Sequence, residues 1–305
     1  MQTYKHSGVA PVGSLIKCLL AGLAAAAIGA FVYAWATQWI PIIYLNLLGT
    51  LAFGWLVGWI VGVLANLGRV RNSLVVGAIA AFCMTVGLWA YWGASIWAMG
   101  GTELGVSAWS PLVLLAFAQH LYENGSWGFK NGAPVTGPFL AGIWLLEAGT
   151  LYYMSVKQAL GQVRIPYCEQ CGEWTEVELA VAAFDATGQE PVWQRVITDD
   201  LPALGEVPLL VEDKSNYVRL DFAKCPKCEH SNFMTLQAVS ITVNNKGETK
   251  TKEKTLISHG VLTAEQSEII RHLAAMAVEE TTTLEPETPD EAAVAEEDEN
   301  GSATA

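Results

Sequence analysis

Four of the six cysteines fall into two C-x-x-C pairs, Cys168 with Cys171 and Cys225 with Cys228. Such a turn sets two sulfur atoms on one side of a tight loop. Two turns facing each other offer four soft thiolate donors in a tetrahedral set suited to zinc. In an oxidising compartment the same pairs read as disulfides, and in a reducing one as a metal site. Topology therefore decides their chemistry. Nothing else in the chain is arranged for nucleophilic catalysis. There is no G-x-S-x-G and no phosphate-binding loop, and His6, His120, His230, His259 and His272 are scattered. An enzyme is not expected.

The segments YCEQCG (167–172) and KCPKCE (224–229) resemble the knuckles of zinc ribbons, in which each turn caps a β-hairpin. Their surroundings agree: 217–222 alternates before the second turn, 233–243 is strand-like after it, and 244–247 suits a hairpin turn into a strand at 249–257. The gap between Cys171 and Cys225 holds 53 residues, against about 15–20 in a minimal ribbon. An insertion, 172–224, must fold there, with 174–184, 193–198 and 207–211 as its apolar material. Closing the longer loop adds little entropic cost. CGEW (171–174) and CPKC (225–228) also resemble rubredoxin, whose four-cysteine iron carries single electrons. Glu229, however, stands where rubredoxin has Gly, and the spacing is too long. A closed four-thiolate set has no open position for substrate, so the expected ion is structural zinc, with iron the alternative.

These knuckles have to be positioned by an unusually apolar chain, 52% hydrophobic and 15% charged over 305 residues. Residues 1–158 carry a net charge of +3 and residues 159–305 one of −16. Runs at 16–37, 41–65, 73–98 and 138–156 are long enough to cross a bilayer. The first could pass for a secretory signal, but its length and the tight link to the second favour an uncleaved helix. Lys5 and Lys17 precede the first run, Arg69 and Arg71 separate the second and third, and Lys157 and Arg164 follow the fourth. By the positive-inside rule both termini are cytoplasmic, in a membrane taken to be a bacterial inner membrane. Ser110 as N-cap and Pro111 at the first helical position open a helix at 110–122 that is too short to span. It reads as a re-entrant or interfacial segment, with a fifth span over 104–122 as the alternative. The expected architecture is an α-helical membrane bundle of four transmembrane helices plus this short helix, followed by a small β-rich, zinc-ribbon-like cytoplasmic domain at 159–260.

Within the spans, Thr50, Gly54, Gly58 and Gly62 recur every fourth residue, a stripe that lets another backbone approach closely. It serves packing inside one bundle or self-association into a homo-oligomer. Glu147 is the only acidic residue deep in an expected span, and a charge there costs several kcal/mol unless neutralised or paired. No Lys or Arg lies deep within the spans, so a protonated carboxyl, or one hydrogen-bonded to a polar group such as Asn46, Thr50, Thr85 or His120, is expected. Glu147 is then either a proton or cation relay or a neutral group that orients helices.

In the polar half, Lys250, Lys252 and Lys254 share one face of a strand. They can meet anionic headgroups or phosphates, or guard a sheet edge against pairing. The soluble half is acidic, so nucleic acid is not an expected partner. Thr263 and Gln266 form a capping box opening an amphipathic helix to Val278, within 261–278. Residues 279–305 hold ten acidic residues and no basic one, the composition of a disordered tail. Two functions remain: a membrane-anchored adaptor or accessory subunit whose metal-stabilised domain binds a protein partner, and a small transporter or channel with Glu147 in its path.

Overall fold

The computed structural model describes residues 1–39, 43–125, 134–210, 215–228, 230–244 and 248–284. The chain divides into two compact units, Lys5–Trp174, and Met1–Tyr4 together with Thr175–Ala305. The division falls later than the composition shift at residue 158, because the first knuckle belongs to the helical unit.

That unit contains α1 (Val12–Trp39), α2 (Ile43–Leu67), α3 (Ser73–Ala98), α4 (Pro111–Asn124) and α5 (Gly137–Gly161). All but α4 are long and apolar enough to cross a membrane. The expected spans lie on these four helices, with residues 41 and 42 of the second outside the described ones. Large aliphatic side chains such as Val32, Leu74 and Leu146 point outward, while Ala26, Ala30, Ala65 and Ala80 are buried. Small residues inside and large ones outside is the pattern of helices packed within lipid.

The glycine stripe explains one helix pair. Gly54, Gly58 and Gly62 of α2 face Leu151, Ser155 and Ala159 of α5, so the two helices run parallel in constant register. A Cβ at Gly54 would stand 2.9 Å from the Leu151 carbonyl oxygen, and one at Gly62 would stand 3.0 Å from that of Ala159; at Gly58 it would fall on the Ser155 carbonyl. Thr50, the fourth member, is 3% exposed. The stripe is filled from within the chain. Gly22 of α1 is pressed in the same way against Cys83 and Val61.

Just beyond α5, the Gln162 carbonyl accepts a bond of 2.7 Å from Asn66 Nδ2 at the end of α2. The two helices therefore end on the same side. A crossing by residues 102–124 would turn α5 the other way, so α1, α2, α3 and α5 are the four candidate membrane-spanning helices. The helix α4 spans 14 residues and meets the preceding 3-10 segment Thr102–Trp109 at a bend of 108°. Ser110 Oγ caps it by accepting from Val113 N at 3.3 Å, and Pro111 follows at the first position. The 3-10 segment is pinned by indoles. Trp109 lies on Gly93 and donates to Ala90 O at 3.2 Å, and Trp97 donates to Gly105 O at 3.1 Å. The unit closes with a minimal hairpin, β1 (Tyr167–Cys168) and β2 (Glu173–Trp174).

The second unit is an antiparallel sheet, ordered β3 (Glu176–Asp185), β4 (Asn216–Lys224), β5 (Asn232–Val243) and β6 (Thr249–Leu262). Phe184, Leu220, Met234 and Leu236 form one side of its core. Leu201 and Leu204 of a 3-10 segment and Val196 of α6 (Glu190–Ile197) form the other, with Ile270 and Leu273 of α7 (Ala264–Leu284). The insertion between the knuckles thus supplies β3, α6 and all of β4, half of the sheet's four strands. Thr3 adds a bridge to Gly260 on β6, which local sequence does not announce. The capping box is present, Gln266 N donating to Thr263 Oγ1 at 3.2 Å and Thr263 N to Gln266 Oε1 at 3.0 Å. The helix it opens continues to Leu284, past the expected end at Val278, since no proline or glycine interrupts it before Pro286 in the sequence. The tail at 285–305 and the hairpin turn at 245–247 lie outside the described residues.

Because a side chain at Gly58 must push α2 off α5, Gly58→Ala is expected to lower stability by about 1–3 kcal/mol. Gly149→Ala on α5, where nothing stands within 4 Å of the new Cβ, is the neutral control. Thermal unfolding of the detergent-solubilised protein compares them, and equal midpoints would contradict the packing.

Candidate metal centre

The first knuckle is built by a tight return between β1 and β2. The Gly172 amide donates to Cys168 O at 2.9 Å with φ +66°, a left-handed conformation glycine adopts freely, and the Cys171 amide points at Cys168 Sγ at 3.4 Å. The second knuckle joins β4 to β5. There the Cys225 amide donates to Ser231 O at 3.1 Å and the Lys227 amide points at Cys225 Sγ at 3.5 Å. Amides aimed at sulfur favour the thiolate and orient it.

The four sulfur atoms of Cys168, Cys171, Cys225 and Cys228 all lie within 4.8 Å of one another. None is in a disulfide; Cys168 and Cys225 are buried and the other two half-buried. A tetrahedral thiolate-bound ion with bonds of about 2.3 Å sets sulfur–sulfur edges of about 3.8 Å. The observed cluster is close enough to hold such an ion. Four donors complete the shell, so the arrangement can hold a metal and leaves no position for a reacting molecule.

The first knuckle is held by residues that the sequence offers only as topology markers. Trp174 Nε1 donates to Asn66 O at 2.8 Å, and Asn66 in turn reaches Gln162. Arg71 pairs with Glu169 and places its guanidinium 4.5 Å from the centre of the Tyr167 ring, while Arg69 pairs with Glu173 at 3.4 Å. A cation over a tyrosine face and a charged pair both strengthen where water is partly excluded, and the Arg71 side chain is only 13% exposed. His6 packs edge-on against Trp174 with centroids 6.1 Å apart. Burial lowers its pKa below the ordinary imidazole value, against the opposing pull of Glu169.

The other expected residues fall elsewhere. Lys250, Lys252 and Lys254 are exposed on β6, an edge of the sheet, opposite Thr242, Ser240 and Ala238. His230 is exposed. Glu147 meets none of the side chains expected of it directly. Its carboxyl is bonded at 2.6 Å to Tyr33, which does not stand out in the sequence because it sits among aromatics in an apolar run. Tyr33 bonds Thr50 at 2.6 Å, and Asn46 enters through its backbone oxygen, which accepts from Thr50 at 3.0 Å. His120 instead pairs with Asn124 at 3.2 Å, and Thr85 with Tyr152 at 2.8 Å.

Replacing Cys168 or Cys225 by Ser removes one of four soft donors. Elemental analysis of purified protein is expected to fall from roughly one metal per chain to background. Arg71→Ala leaves all four sulfurs but releases their support. It is expected to cost about 1–2 kcal/mol and to speed metal loss to a chelator, read as the rate of ion release. Release at the wild-type rate would contradict a role for Arg71 in holding the knuckle.

No protein-family model matches this chain, no curated protein matches its sequence, and no solved structure matches its fold. The site is therefore read from its own donors and their supports.

Proposed function

We propose that the chain is a membrane-anchored adaptor or accessory subunit whose cytoplasmic domain, stabilised by structural zinc, binds a protein partner. The observation that carries this reading is the closed set of four sulfur atoms, a donor set that contributes folding energy and no turnover. Zinc is favoured over iron because it takes tetrahedral thiolates without a redox role. The Lys and Arg residues near the ends of the spans support cytoplasmic termini, and in bacteria the inner membrane. A reducing compartment on that side agrees with thiols in place of disulfides.

A second reading, a small transporter or channel, draws on the hydrogen-bonded carboxyl of Glu147 inside the bundle. A third, a membrane-bound rubredoxin-like electron carrier, needs iron in the four-cysteine site.

Affinity purification in mild detergent, with metal analysis and identification of bound proteins, separates them. The adaptor reading expects about one zinc per chain and a co-purifying protein that is lost with Cys225→Ser and retained with Glu147→Gln. Loss of cellular function with Glu147→Gln and tolerance of Cys225→Ser would favour transport. A red preparation holding iron would favour the electron carrier.

A further inference from the structure

The bonds that begin at Glu147 can be counted in protons. Tyr33 Oη lies 2.6 Å from Glu147 Oε1 and 2.6 Å from Thr50 Oγ1, and Thr50 Oγ1 lies 3.0 Å from Asn46 O. Three contacts in series require three donated protons. Tyr33 and Thr50 own one each, and the Asn46 carbonyl only accepts. With Glu147 ionised, two protons must serve three contacts, and one pair of oxygens is left facing without a proton between them. With Glu147 neutral, its own O–H supplies the third. Every donor then points the same way, from Glu147 to Tyr33, from Tyr33 to Thr50, and from Thr50 to the Asn46 carbonyl.

We propose that Glu147 is a proton-binding site of the helical bundle, whose bound proton completes a hydrogen-bond chain joining α5 to α1 and α2 and whose release opens that chain. This rests on the reading of these helices as membrane spans, since in hydrocarbon an ionised carboxylate and an unmade hydrogen bond are both costly. On release, the carboxyl O–H bond breaks and the proton leaves to water or a base. The carboxylate then takes its hydrogen bond from Tyr33, and the contact between Tyr33 and Thr50 or that between Thr50 and Asn46 loses its donor.

The groups around the site contain no counter-charge among the described residues. From α1 comes Tyr33, from α2 Thr50, and from α3 Tyr91, whose ring lies 4.9 Å from that of Tyr33; on α4, His120 is turned to Asn124. A proton is the ligand that suits a single carboxyl among hydroxyl groups, because no second acid among the described residues joins it to share a metal cation.

Infrared difference spectroscopy of the protein in lipid bilayers, wild type minus Glu147→Gln, tests this directly. At neutral pH the expected result is a neutral-carboxyl C=O band that moves on transfer to D2O and shifts to higher frequency in Tyr33→Phe. On raising the pH it gives way to carboxylate bands, the neutral population falling about tenfold per pH unit beyond the midpoint. Carboxylate bands at neutral pH, or a C=O band indifferent to Tyr33→Phe, would overturn the proposal. Should Glu147→Gln fail to fold, isotope labelling of glutamate carboxyls with Tyr33→Phe as the only variant gives the same two outcomes. The membrane reading fails separately, if alkaline extraction releases the chain from membranes into solution.

Discussion

Four cysteine sulfurs within 4.8 Å of one another set the condition that the rest of the site must meet. As thiolates they repel, so their closeness is favourable only with a cation among them, and the cation binds tightly only if the backbone delivers them together. Each pair is delivered by a local device. In the first, Gly172 turns the chain with a positive φ; in the second, the ends of β4 and β5 are stitched by the bond from Cys225 to Ser231. The bond from Trp174 to Asn66 and the pairing of Arg71 with Glu169 and Tyr167 keep the first device from wandering.

The helical bundle obeys a different constraint. In lipid, little is gained by hiding apolar side chains from apolar solvent, so helices associate where their backbones come close. Gly54, Gly58 and Gly62 meet the α5 backbone for this reason, and the constant register fixes the two helices as parallel. Because α3 runs back against α2, parallel α2 and α5 demand that the connection at 99–136 return to the end of the bundle it left. Its re-entry is made of the 3-10 segment, the 108° bend and α4. The same crowding leaves the few polar groups of the bundle only one another as partners, which draws Glu147, Tyr33 and Thr50 into one chain of bonds.

What could be read in the sequence was whatever is local or periodic. The cysteine spacing, the four apolar runs, the Ser110–Pro111 helix start and the Thr263/Gln266 capping box each depend on residues within a few positions of one another. What could not be read joins distant positions. Tyr33 and Glu147 are 114 residues apart and Arg71 and Glu169 are 98 apart. Neither pair has a spacing that marks it. The arginines were legible as charge and hence as topology, yet their second task, carrying the knuckle, depends on where α5 ends. Likewise, the end expected for α7 at Val278 came from a change in composition, while the backbone, having met no proline or glycine, continues to Leu284.

The proposed function stands on the four cysteines holding one metal ion in a closed, structural site. X-ray absorption at the metal edge of the purified protein tests it most directly. A closed site gives a single shell of four sulfur scatterers, at about 2.3 Å for zinc, unchanged when small ligands are added. A shell containing oxygen or nitrogen, or one that changes on adding such ligands, would contradict it.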